Sequence, residues 1–263
     1  MTKRINYLFC INTGRAGSHY LSKIFSHVDY AVSTHEMHPI GHSTPMINFL
    51  KGKPKSMEAL AKIRLKNITS LAMSGRAYLE TNHMFIKGYG WYFAKNLPAQ
   101  EIGVIILTRD KDKVVDSLCR VGGTPLNYIG RHWYFTPNIK DPICPPPRFW
   151  RLPPRLSYKL IFGMSTIAKQ LNKIYNRTGI KLFKYADFFH RYNRESAAWY
   201  YDETYALGEK FKSTHPNIRY YEVNLDDLNN PEKVNQIMDY FGLSLRKTIT
   251  DVIGVPSNLK SHH

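Results

Sequence analysis

The chain has 263 residues, 43% hydrophobic and 13% aromatic, enough for a sizeable core and suited to one α/β domain or two small ones. Lys and Arg number 37 against 20 Asp and Glu, a formal charge of +17 that favours an anionic partner: nucleic acid, an acidic membrane surface, a polyanionic glycan or a highly charged cofactor. Cys10, Cys119 and Cys144 are too scattered for a disulfide framework or a CxxC metal site, and no apolar run reaches the roughly 20 residues of a membrane span.

The opening apolar run, INYLFCI, reads as a buried parallel strand. It is too short for a secretory h-region, so a reducing, cytoplasmic setting is expected. A Gly-rich turn follows, then a helix from Ser18 with apolar residues at Tyr20, Leu21, Ile24 and Phe25. DYAVSTHE reads as a second strand, KSMEALAKIRLKNITSLAMSG as a helix stopped by glycine, and AYLETNHMFIKG as a third strand running into a loop. GWYFAKNLP is a short helix ended by Pro98, and IGVIILTRD is the strongest strand, followed at once by the helix KDKVVDSLCRV. Residues 122–154 are rich in Pro, Gly and aromatics, with Arg131, Arg148 and Arg151 interspersed, and show no periodicity. Helical segments are expected at 156–176 and 195–213, then a late strand in NIRYYEVNLDDL. The last helix, NPEKVNQIMDYFGL, has Pro231 near its start and Gly242 at its end. Strands alternating with helices predict an α/β three-layer fold of P-loop type, a central parallel sheet flanked by helices. A single domain over 1–263 is expected, with 122–156 as an irregular insertion or lid.

Two segments carry chemistry. In the first, Thr13–Tyr20, glycines let the backbone turn close to an anion at the start of a helix, where amides and dipole favour negative charge. Arg15 adds a forked donor and Ser18 a hydroxyl, but no Lys-Ser/Thr pair follows the last glycine, which disfavours a Walker loop. In the second, LTRDKDKVVDSL, Arg109 stands at the carboxyl end of the strongest strand, where ligands of open α/β sheets bind, and Ser117 follows eight residues later in the helix. Asp110 is placed to cap that helix. Each segment alone is also compatible with an ordinary strand–turn–helix junction.

Together, GRAGSHYL and LTRDKDKVVDSL resemble the signature segments of the PAPS-dependent sulfotransferases, in the Arg-bearing version found in carbohydrate and tyrosyl-protein sulfotransferases. PAPS is 3′-phosphoadenosine 5′-phosphosulfate. A third segment, RYYEVNLDDLNNPEKVNQIMDYFGL, resembles the late strand and helix of that family. The resemblance implies that Gly14, Arg15, Ala16, Gly17, Ser18 and His19 hold the 5′-phosphosulfate, with Arg15 at the leaving group. It implies that Arg109 and Ser117 hold the 3′-phosphate, that no metal is needed, and that PAP is the product. His19 departs from the family's usual Thr or Ser. Arg-loop relatives often draw their general base from a Glu soon after the first helix, and Glu36 stands there; Glu80 and His83 are the alternatives. His35, His38 and His42 complete no metal-ligand set of defined spacing. Lys87 and residues 131–155 are candidates for the acceptor side, which is expected to receive a hydroxyl-bearing carbohydrate or glycolipid. Two rival readings stand beside this one: a non-catalytic polyanion- or nucleic-acid-binding protein, which no RNP, KH or zinc-finger pattern supports, and a P-loop kinase with a degenerate loop.

Overall fold

The computed structural model describes residues 3–148, 163–164, 167 and 185–254. In chain order its elements are β1 (Tyr7–Ile11), α1 (Ser18–Phe25), β2 (Ala31–Thr34), α2 (Thr44–Leu50), α3 (Lys55–Met73), β3 (Ala77–Glu80), α4 (Gly90–Asn96) and β4 (Ile102–Thr108). They continue with α5 (Lys111–Arg120), α6 (Tyr128–Trp133), α7 (Tyr185–Thr214), β5 (Arg219–Asn224) and α8 (Pro231–Tyr240). They form two compact units, Met1–Asp110 with Thr204–His263, and Lys111–Glu203. The second contains the described part of the irregular segment expected at 122–156. The expected helix at 156–176 lies outside the described residues, apart from 163–164 and 167.

The first unit holds a five-stranded sheet, all parallel, in the order β2-β3-β1-β4-β5. This is the α/β sheet with flanking helices that the alternating pattern predicts. β1 and β4 are centre strands, so both faces are covered, and their sequences are apolar without a break. Successive side chains of β1 go to opposite faces. Leu8 and Cys10 join Leu21, Ile24 and Phe25 of α1 and Val234, Ile237 and Met238 of α8 in one core cluster. Phe9 stacks instead on Phe85 and Phe93, with ring centroids 4.8 and 5.3 Å away, and Phe85 meets Phe211 of α7 edge-on.

Local chemistry sets the helix ends. The Asn230 side chain accepts from the amides of Glu232 and Lys233, Pro231 occupies the first turn of α8, and Gly242 ends the helix with φ of 66°. Two features differ from the sequence expectation. MFIKG does not continue as a loop: Phe85–Tyr89 forms a π-like turn kinked at Gly88 (φ 163°, ψ −56°), all five residues buried, leading directly into α4. The stretch without periodicity contains the short helix α6.

In the second unit, Arg194 of α7 forms an ion pair with Asp116 of α5. The buried Glu203 carboxylate accepts from the amides of Ile143 (2.9 Å) and Cys144 (2.6 Å), and Trp199 donates to the Cys144 carbonyl (3.1 Å). Phe135 lies edge-on to Trp199 and Tyr200. Phe135 of the irregular stretch is thus buried against Trp199 and Tyr200 of α7. Phe149, Trp150 and Arg151 lie outside the described residues. Among the described residues, no helix is long and apolar enough to cross a membrane.

Candidate functional site

Because β1 to β4 are parallel, the segments that leave their carboxyl ends share one edge of the sheet. These segments are 12–17 after β1, 35–36 after β2, 81–83 after β3, and Arg109 after β4. Open parallel sheets bind ligands at this edge.

The β1–α1 turn is held by Asn12. Its Oδ1 accepts from the Gly14 amide (2.8 Å), and its Nδ2 donates to the Thr81 carbonyl beyond β3 (3.2 Å). Gly14, Arg15 and Gly17 all have positive φ, at 71°, 59° and 99°. Glycine reaches that region without cost, but Arg15 does not. Its strained main chain is braced by Arg109, whose Nη1 donates to the Arg15 carbonyl at 3.0 Å. Gly17 is the N-cap of α1, and no side chain caps the helix or places an acid in its first turn. The turn therefore presents main-chain amides and the positive end of a helix dipole, with the Arg109 guanidinium on the Arg15 carbonyl. Ala16 and Ser18 are buried, and His19 is exposed.

His19 lies over His35, with ring centroids 3.8 Å apart. His35 Nδ1 is 2.7 Å from Thr81 Oγ1, and its Nε2 is 3.7 Å from Glu36 Oε1. His83 Nε2 approaches the same Oε1, also at 3.7 Å, and His83 Nδ1 is 2.6 Å from Lys87 Nζ. Glu36 is thus flanked by two imidazoles on one oxygen, while Oε2 has no hydrogen bond among the described residues. The Glu36 side chain keeps 27% exposure.

The electrostatics follow from burial. Desolvation raises the Glu36 pKa above the ordinary carboxylate value; the Lys87 charge opposes this and the Glu80 charge adds to it. Burial, with help from His19, holds His35 down at about 4, and partial desolvation against its neighbours lowers the otherwise exposed His19, assisted by Arg15. His83 is pushed well below its ordinary value by burial first, then by Lys87, His35 and His42. Lys87 is pushed well down by burial, and Glu36 pulls it back up. Both histidines at Glu36 are therefore neutral near pH 7.

Glu80, named by sequence as an alternative base, ends β3 and has a charged partner of its own. It is 3% exposed and forms an ion pair with Arg64 of α3, whose side chain is fully buried against the Tyr89 ring, 4.3 Å away. Its Oε1 accepts from the Met37 amide (3.2 Å) and from Asn82 Nδ2 (3.4 Å). Glu80 thereby fixes the backbone just past Glu36. Sequence reasoning missed Arg64, which sits in an ordinary amphipathic helix, and Asn12, the hinge between the β1 turn and β3. Lys87, expected on the acceptor side, is buried in the π turn. Ser117 lies in α5 of the second unit. Arg131 is in α6, and its Nη1 donates to the Pro125 carbonyl.

Among the described residues, no group of three His, Cys, Asp or Glu side chains is arranged to hold a metal ion. No family model matches the chain, and no curated protein or solved structure matches it either.

Proposed function

We propose that the chain is a PAPS-dependent sulfotransferase that acts on a hydroxyl of a carbohydrate or glycolipid. The observation that carries this reading is the bond from Arg109 to the Arg15 carbonyl. It joins the two segments singled out by their motifs at one uncapped helix N-terminus, with Glu36 on the next loop of the same edge. That turn suits an anion: its amides are uncapped, its first helical turn holds no acid, and two arginines bear on it.

PAPS, when bound, supplies an activated sulfuryl group on a phosphate leaving group. The amides of the turn and the Ser18 hydroxyl hold the 5′-phosphate. The Arg15 guanidinium offsets the negative charge that grows on the leaving oxygens, the kind of pre-aimed charge on which such transfers depend. Arg109 holds the 3′-phosphate; the matching role of Ser117 rests on its sequence motif alone. Glu36 takes the acceptor's proton at Oε2. Burial raises its proton affinity toward working pH, as suits a base that must later release the proton.

The test is thermal stability with PAP, with ATP and Mg²⁺, and with an oligonucleotide, side by side. The expected result is selective stabilisation by PAP, about 2.7 kcal/mol at a hundredfold excess over Kd. Stabilisation by the oligonucleotide alone, falling steeply with salt, makes the chain a polyanion binder; stabilisation by ATP and Mg²⁺ alone makes it a kinase. Turnover of labelled PAPS against glycan, peptide and phenol acceptors then tests the acceptor class.

A further inference from the structure

Lys87 is a fully buried amine with no place in the chemistry above. It sits in the π turn Phe85–Tyr89 with its nitrogen 2.6 Å from His83 Nδ1. An ammonium is costly to bury without an opposite charge, and the carboxylate whose charge supports it is Glu36. Between them stands the His83 ring, with Nδ1 on Lys87 and Nε2 at 3.7 Å from Glu36 Oε1.

Burial disfavours the ammonium form of Lys87 and the Glu36 charge favours it; in that form Lys87 only donates, so His83 Nδ1 accepts. The ring hydrogen then sits on Nε2, the nitrogen turned to Glu36. His35 repeats the arrangement: Thr81 Oγ1 meets its Nδ1, and its Nε2 lies 3.7 Å from the same Oε1. Two rings oriented from behind thus converge on one carboxylate oxygen.

We propose that Lys87 and His83 are positioning residues for Glu36: Lys87 locks the His83 ring through Nδ1, and ring and ammonium together hold Oε1 inward so that Oε2 meets the acceptor hydroxyl. The consequence for turnover rests on the sulfotransferase reading; the arrangement itself does not. The groups that bear on this unit are Lys87, Glu80, His35 and His83 around Glu36; Lys87, His35 and His42 around His83; and His19, itself beside Arg15, around His35. Of these, the Lys87 charge is the influence that lowers the proton affinity of Glu36, so the two titrate as a linked pair.

The test is an infrared difference titration of protein carrying ¹³C-labelled glutamate, with Glu36→Gln used to assign the Glu36 band. In Lys87→Met the midpoint of that band is expected to move to higher pH, with PAP affinity unchanged and the acid limb of kcat/KM moving the same way. Lys87→Gln keeps a hydrogen bond for His83 but loses the charge, so it shows the same upward shift and serves if the Met variant does not fold. A merely structural Lys87 would lower activity equally at all pH and leave the midpoint in place, and that result in either folded variant overturns the proposal. Wild-type protein that neither binds PAP nor turns over PAPS defeats the sulfotransferase reading instead, while the carboxyl titration still decides the role of Lys87.

Discussion

The guanidinium of Arg109 donates to the main-chain carbonyl of Arg15 at 3.0 Å, so the residue that closes β4 braces the crest of the β1–α1 turn, where Arg15 has φ of 59°. One side chain therefore carries both a charge and a strained backbone. Arg109→Ala loses both. PAP affinity measured by calorimetry is expected to fall about 10- to 100-fold, the range for one charge-assisted hydrogen bond left unmade. Unchanged affinity removes Arg109 from the nucleotide site.

Arg15→Gly separates side chain from main chain. Glycine adopts the left-handed conformation at this position without strain, so the turn is kept while the guanidinium is lost. The expected outcome is a fall in kcat of about 10²- to 10³-fold, the usual cost of removing one group that stabilises transition-state charge. The fold and melting temperature are retained. A variant that turns over PAPS at the wild-type rate places the leaving-group charge elsewhere.

Glu36→Gln removes the base and leaves the phosphate-binding turn intact. The rate is expected to drop about 10²- to 10⁴-fold at constant PAP affinity. In the wild type the base must be ionised to work, and burial raises its proton affinity. The acid limb of kcat/KM is therefore expected above the ordinary carboxylate range, with activity rising as pH increases through it. A limb at the unperturbed value of 4.5 would mean that Glu36 is not the titrating group.

Stability should fall on acidification for a separate reason. His35 is held near 4 in the folded chain against its ordinary 6.5, and His83 is shifted the same way. The unfolded chain therefore binds more protons than the native one between these values, so stability decreases as pH drops from about 6.5 towards 4. Thermal melts over that window, repeated with His35→Gln, check the assignment: the variant's melting temperature should depend less on pH. Equal slopes assign the acid sensitivity to other groups.

Glu80→Ala tests the buried ion pair. The change leaves the fully buried Arg64 guanidinium without its carboxylate, an expected cost of about 3–5 kcal/mol, while the double replacement Arg64→Met/Glu80→Leu costs much less. Denaturant unfolding of the single and double variants measures both. If Glu80→Ala folds with wild-type stability, Glu80 is available for other work.

The parts of this molecule that announced themselves in sequence are those with a local cause. β4 is apolar from Ile102 to Leu107 because both its faces are covered, and α8 is bracketed by Pro231 and Gly242. The site followed the same rule: Arg15, Ser18 and Arg109 stand out because glycines and strand ends position them. Arg64 and Glu80 did not, since sixteen residues separate them and their partnership exists only after α3 has packed beside β3. Lys87, a candidate for the acceptor side by sequence, is buried in the turn Phe85–Tyr89, and no local pattern marks a turn that is buried all round while carrying a lysine.

The register of the central strand has a kinetic consequence. Leu8 pairs with Leu79 on one side and Gly103 on the other, so β1 is not paired on both edges until β3 and β4 have both been made. Until then its continuous apolar face is unprotected. Refolding should accordingly be slow for the chain's length and sensitive to protein concentration, because the earliest strand waits for partners far along the chain and can meet another chain first.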